Sequence, residues 1–354
     1  MRISKVIWSS VVYLLAALSA KANDTMASVK SGEIEYKVSH DIEMQKEELT
    51  LSPEEISVVY EFFNHASHEI KAEVAFPLPT MTPYSEIWDE QYFAYKKLER
   101  FTEEETSTLA SVLEARPFLN FKRTVDGESY GYLSKVVALL PSGKDITALL
   151  SQNQVPLSRA FLLGIQEESW LDKNPKLKEK IKKLNLLDDK GMPKWQDHTI
   201  FYWTQYFPAQ KKSRATHTYK PATGYYWASP QGKVASLDQV LLADKTLLWK
   251  EFCPSPDFEK EVLGLFQGDD TPQEHQTRRI AVVDYMLKTG ANWRGPIADF
   301  TLKIVPPAGM VATFCAPEGV SYTEDAQGAL TLHLQNFKPQ EDLHVLFVKK
   351  AKEG

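Results

Sequence analysis

Two stretches decide the architecture of this chain: Ile56-Ser57-Val58-Val59-Tyr60-Glu61-Phe62 and Ile70-Lys71-Ala72-Glu73-Val74-Ala75-Phe76. In the first, Ile56, Val58, Tyr60 and Phe62 share one face. In the second, Ile70, Ala72, Val74 and Phe76 stand opposite Lys71 and Glu73. Side chains alternate sides along an extended strand, so this period-two spacing marks strands with one buried face. The polar segment Asn64–His68 between them reads as a turn, and the two runs as a hairpin.

The same pattern recurs toward both ends. Ile34, Tyr36 and Val38 alternate with Glu33, Glu35 and Lys37. Near the C-terminus, Phe300, Leu302 and Ile304 alternate with Asp299, Thr301 and Lys303, followed by Leu330, Leu332 and Leu334 and by Leu343, Val345 and Phe347. Short alternating strands with turns between them predict a mainly β fold, an antiparallel β-sandwich. Thr199–Phe207 carries aromatics on both faces, Tyr202 and Tyr206 against Phe201, Trp203 and Phe207, which predicts a strand between two packed layers. Val283, Tyr285 and Leu287 make residues 279–287 a strand as well.

The middle of the chain changes period. Thr102 and Glu105 form a capping box ahead of Leu109, Val112 and Leu113. Asp145–Gln152, Leu157–Trp170 (with Pro156 at its start) and Pro175–Leu186 read as helices, and Ser255-Pro256 opens another. The lysines of Pro175–Leu186 surround an apolar face of Leu177, Ile181 and Leu184, the pattern of a solvated helix. The expected organisation is therefore a leader over 1–22, a β-rich part over 23–142 with a helical excursion, an α-helical or mixed middle insertion over 143–195, and a C-terminal β-rich part over 196–354 that completes the sandwich.

Residues 1–22 have the form of a cleaved secretory signal. Arg2 and Lys5 precede an apolar run from Val6 to Ala20, and Ala20-Lys21-Ala22 is a small-x-small site that leaves Asn23 first. The run is shorter than the ~20 apolar residues of a spanning helix. Localisation is thus expected to be periplasmic or secreted, with no transmembrane span after cleavage. Loss of Arg2, Lys5 and Lys21, with no acidic residue among the first 22, takes the formal charge from −6 to −9. An acidic chain without a basic cluster argues against nucleic acid as a partner. In an oxidising compartment Cys253 and Cys315, the chain's two cysteines, read as one disulfide.

Catalytic signatures are lacking: no Gly-x-Ser-x-Gly elbow, no phosphate-cradling glycine loop, no His-Glu-x-x-His. No cofactor is expected. His65 and His68 are too few to hold a metal and read as part of a polar turn. Glu54-Glu55 and Glu167-Glu168 are adjacent, so their side chains diverge. His217 and Tyr219 project from one face of a strand, and Tyr225-Tyr226-Trp227, with Trp203 and Tyr206 upstream, offers an aromatic platform. These five, His217, Tyr219, Tyr225, Tyr226 and Trp227, are the candidate ligand or partner contacts. Trp293 in Asn292-Trp293-Arg294-Gly295-Pro296 is expected to stack with Arg294 in a shaped turn.

Several short motifs follow one another in an order that resembles a known family: Asn23-Asp24-Thr25, Ile42-Glu43-Met44, Glu47-Glu48-Leu49, Phe76-Pro77-Leu78-Pro79, His217-Thr218-Tyr219-Lys220-Pro221, Phe252-Cys253, Asn292-Trp293-Arg294-Gly295-Pro296 and Thr313-Phe314-Cys315. The chain is similar to the exported bacterial proteins grouped as domain-of-unknown-function family 4424. That resemblance implies an envelope protein with an immunoglobulin-like β-sandwich, places cysteines at Cys253 and Cys315, and brings no activity, cofactor or catalytic residue. The function expected is a non-enzymatic protein that binds an envelope protein or a small envelope component. The alternative is an envelope hydrolase or carbohydrate-active protein, with a pocket joining His217 to a carboxylate and an aromatic wall. An adhesin or pilus-type subunit is a third possibility.

Overall fold

The computed structural model describes residues 23–30, 33–79, 119–163, 170–221, 223–227, 245–264 and 279–349. Its strands form three sheets. The first runs in the order β2 (Glu33–Lys37), β1 (Thr25–Lys30), β5 (Ile70–Pro77), β9 (Gln196–Phe207), β8 (Leu133–Leu139). The second runs β15 (Thr323–Glu324), β16 (Leu330–Phe337), β13 (Ile297–Ile304), β3 (Ile42–Leu51), β4 (Ile56–Asn64), β10 (Lys212–Tyr219), β6 (Lys122–Val125), β7 (Glu128–Tyr130). The third is β11 (Gly224–Trp227), β12 (Arg279–Tyr285), β17 (Leu343–Lys349), β14 (Met310–Phe314). The fold is mainly β and sandwich-like. One continuous apolar cluster joins Phe62, Leu302 and Tyr219 of the second sheet to Phe76 and Phe201 of the first and Val283 and Phe347 of the third. Pairing is antiparallel throughout the three sheets except where β13 lies parallel to β3, which stitches the two ends of the chain together.

The decisive stretches are strands, with Ile56, Val58, Tyr60 and Phe62 fully buried, but they are not a hairpin. β4 pairs with β3 and β10, whereas β5 pairs with β1 and β9. The Asn64–His68 segment is a corner that carries the chain across the core, so the two apolar faces look at each other. Asn64 fixes it: its Nδ2 donates to the carbonyls of His68 at 2.9 Å and of Phe207 on β9 at 2.8 Å. Alternation says that one face is buried and does not say which strand lies alongside.

β9 also differs from expectation. Phe201, Trp203 and Phe207 enter the core, while Tyr202 is half-buried in a small patch with Ala27, Val137 and Ile200, and Tyr206 is 52% exposed. It has one fully buried face rather than two.

Between β8 and β9 the described residues form four short helices, α1 (Thr147–Gln152), α2 (Arg159–Leu163), α3 (Trp170–Lys173) and α4 (Pro175–Lys183). The expected helix over 157–170 begins instead at Arg159. Leu150, Leu162, Leu177, Ile181 and Trp195 give these helices a core of their own. Asn174 caps α4 by accepting from the Leu177 amide, and Pro175 occupies the first turn, where its missing N–H costs nothing. Two further helices, α5 (Lys245–Phe252) and α6 (Pro256–Gly264), place Phe252, Phe258 and Val262 against Ile280, Leu346 and Val348 on the outer face of the third sheet. Cys253, just after α5, is bonded to Cys315, just after β14, with Cα atoms 4.9 Å apart. The Thr102–Glu105 box and Glu167-Glu168 lie outside the described residues.

Candidate functional site: a sealed polar cluster and an exposed aromatic ridge

β10 alternates as its sequence demands, turning Ser213, Ala215, His217 and Tyr219 inward. His217 is 0% exposed. Its ring is met edge-on by Phe76 at 5.3 Å and Trp203 at 5.0 Å, with Tyr60 at 5.5 Å and Phe121 at 5.3 Å. A carboxylate is present too, since Asp24 Oδ1 lies 3.5 Å from His217 Nδ1. The histidine, carboxylate and aromatic wall expected of a pocket are therefore assembled, but inside the core. With His217 fully buried and Tyr219 nearly so, neither is a surface contact in this structure.

A second carboxylate reaches the same region because β3 is irregular. Ile42 and Met44 face inward, the register shifts between Met44 and Lys46, and from there Glu47, Leu49 and Leu51 face inward instead. Glu47 is wholly buried. It accepts from Asn23 Nδ2 at 2.9 Å on both oxygens and from the Tyr285 hydroxyl at 3.5 Å, and Tyr285 in turn lies 3.2 Å from the Tyr60 hydroxyl. The segment Asn23–Thr25 is buried and ties the first sheet to the second and to the turn ahead of β13: Thr25 pairs with Ala75, Asn23 bonds Glu47, and the Asp24 carbonyl accepts from Trp293 Nε1 at 2.6 Å. Trp293 packs on Phe62, with ring centroids 4.7 Å apart, so it is a core residue rather than a partner of Arg294.

Burial controls the charges here. It pushes the Glu47 carboxyl up to about 8, against the stabilising bonds from Asn23 and Tyr285. It raises Asp24 well above the carboxylate range, opposed by the Arg123 charge and reinforced by Glu47. It lowers His217 to about 3, with Arg123 adding in the same direction, so His217 is neutral and its contact with Asp24 is not an ion pair. Arg123 lies over the Trp203 ring at 4.5 Å and the Tyr130 ring at 5.4 Å, and its Nε donates to the Gly131 carbonyl at 2.9 Å.

Arg123 thereby links the buried cluster to the surface. Tyr130 is 52% and Leu133 61% exposed, and Tyr132 between them rests its ring edge-on against Phe121 and Phe201. The ridge Tyr130–Leu133 joins β7 to β8, the outermost strands of the second and first sheets among the described residues. Sequence reading missed it, although two tyrosines and a leucine around Gly131 are a visible signal.

The other candidates are scattered. Tyr225, Tyr226 and Trp227 lie on β11, paired with Arg279–Val282 in the third sheet, away from β10 in the second; their side chains fall outside the described residues. Trp203 is buried and Tyr206 exposed on opposite faces of β9, so they share no platform. His65 Nε2 sits 2.7 Å from Glu43 Oε2, and no metal-holding group of His, Cys, Asp or Glu occurs among the described residues. Glu54 and Glu55 sit in a turn capped by Ser52, whose Oγ accepts from both amides. No helix among the described residues is long and apolar enough to cross a membrane.

The sequence model described as domain of unknown function (DUF4424) matches residues 22–346. The chain belongs to that family. None of the curated proteins matches it. Among solved structures, it is similar to a Legionella pneumophila protein provisionally described as nutrient binding, with 14% identity, 92% of this chain and 70% of that one covered, and a TM-score of 0.41. It is also similar to an M1 zinc metallopeptidase from Deinococcus radiodurans, with 10% identity, 88% and 43% covered, and a TM-score of 0.24. This member of the DUF4424 family spans less than half of the metallopeptidase.

Proposed function

We propose that this protein is exported to the cell envelope and acts there by binding another envelope protein, through the ridge Tyr130–Leu133. The leader-like residues 1–22 support export. The observation that carries the binding reading is the exposure of Tyr130 and Leu133 on a ridge joined to two outer strands. Tyrosine offers contact area at small entropic cost, and an outer strand presents unpaired backbone groups. An extended segment of a partner, added alongside β7 with apolar side chains over the ridge, satisfies both. The hydrolase reading needs a reachable base, and His217 is sealed and neutral.

The test is crosslinking in intact cells followed by capture of the tagged protein. One recurrent envelope partner should be recovered with wild type and with Tyr206→Ser, and lost with Tyr130→Ser combined with Leu133→Ser. Equal recovery from the ridge variant would overturn the reading.

A further inference from the structure

We infer that cleavage between Ala22 and Asn23 completes the core: the new α-ammonium group of Asn23 is the missing counter-charge and hydrogen-bond donor of the buried Asp24–Glu47 cluster. This rests on the export reading above, since a leader peptidase of the envelope must make the cut. Water adds across the Ala22–Asn23 peptide bond; Ala22 keeps the new carboxylate and leaves with the leader, and the freed amine takes up a proton.

The cluster is short of donors. Asn23 Oδ1 and both carboxyl oxygens of Asp24 are buried and have no hydrogen-bond partner among the described residues. Buried polar atoms are nearly always paired, and each orphan carries a desolvation cost. An α-ammonium brings three N–H donors, one for each of these acceptors. Charge gives the same answer. The groups facing one another across the cluster are Asp24, Glu47, His217, Tyr60, Tyr285 and Arg123. His217 is neutral and Arg123 is the one cation facing the two carboxyls among the described residues; burial holds both toward the protonated form, and a second cation would let them ionise.

Position fits as well. The Asn23 side-chain nitrogen Nδ2 is already 2.9 Å from both Glu47 oxygens, and the residue's own α-nitrogen is separated from it by covalent bonds that span about 5 Å at most. Gly290 makes room for Asn23: a Cβ there would stand 2.8 Å from Asn23 Nδ2. Before cleavage the α-nitrogen of Asn23 is a peptide amide, neutral, with a single proton to donate. Cleavage thus changes both the charge and the donor count at the seam of three sheets, and the protein reaches full stability only after export.

The experiment compares the full chain released to begin at Asn23 with the same chain carrying Ala22 in front, each in wild-type, Glu47→Gln and Asp24→Asn backgrounds. The N-terminus of the naturally exported protein is sequenced alongside. The expected result is an exported chain starting at Asn23, a clearly lower denaturation midpoint for the extended wild type, and at least half of that loss abolished in one carboxamide background. If the exported chain starts elsewhere, the processing reading itself fails. If it starts at Asn23 and the added residue costs the same in every background, or nothing in wild type, processing stands and the counter-charge inference is overturned.

Discussion

The side-chain amide of Asn23 donates to both carboxyl oxygens of Glu47, which holds the start of the described chain against the middle of the second sheet. Around that contact the core is polar where a sandwich core is ordinarily apolar, with His217, Asp24, Tyr60 and Tyr285 in reach of one another.

Gly290→Ala should destabilise the fold by about 1–3 kcal/mol, because the new methyl must displace Asn23 and crowds Ile297 Cδ1 at 3.2 Å. Gly264→Ala, where nothing lies within 4 Å, should stay within about 0.5 kcal/mol of wild type. Urea denaturation of the two variants checks the contrast.

His217 sets an acid limit. Its folded pKa of about 3 lies below the unfolded 6.5, so between these values the unfolded chain binds the extra proton. Its contribution is complete above pH 6.5 and is lost as pH falls toward 3. His217→Phe should flatten this limb in a plot of denaturation midpoint against pH.

Glu47 acts with the opposite sign. With a residue ahead of Asn23, its folded pKa of about 8 exceeds the unfolded 4.5, so stability declines as pH rises from 4.5 to 8. A chain beginning with the free amine of Asn23 should show a shallower decline, measured on the two forms across that window.

Reduction of Cys253–Cys315, or Cys253→Ser, should lower stability by about 4 kcal/mol, the chain-entropy value for a loop spanning 62 residues. Adding reductant should bring wild type down to the mutant. Equal melting temperatures in oxidising buffer would count against the bridge's contribution.

The strands were legible because burial of one face imposes a parity on the sequence; Ile56–Phe62 and Phe300–Ile304 obey it, as does Val283–Tyr285, whereas the strand expected to run on to Leu287 ends at Tyr285, with Met286 and Leu287 both buried beyond it. Which strands pair was not, since a corner and a hairpin leave the same alternation, and β4 and β5 took the corner. The buried Glu47 was readable in principle. Ile42 and Met44 are apolar at even positions and Leu49 and Leu51 at odd ones, so a bulge had to lie between, and Glu47 shares parity with the latter. Asp24 gave no such signal: it approaches His217 through contacts more than 190 residues apart in sequence. His217 was singled out from its strand face, but alternation alone does not separate a sealed face from an open one. The ridge at Tyr130–Leu133 escaped because exposure of an aromatic depends on what covers it, and Phe201, one of the two rings against Tyr132, comes from a distant segment.

The most direct test of the binding claim is site-specific photo-crosslinking in intact cells, with the photoreactive residue placed at Leu133 and, for comparison, at Tyr206. A discrete adduct with one envelope protein from Leu133 and none from Tyr206 is the result predicted. No adduct from Leu133, or the same adduct from both positions, would contradict it.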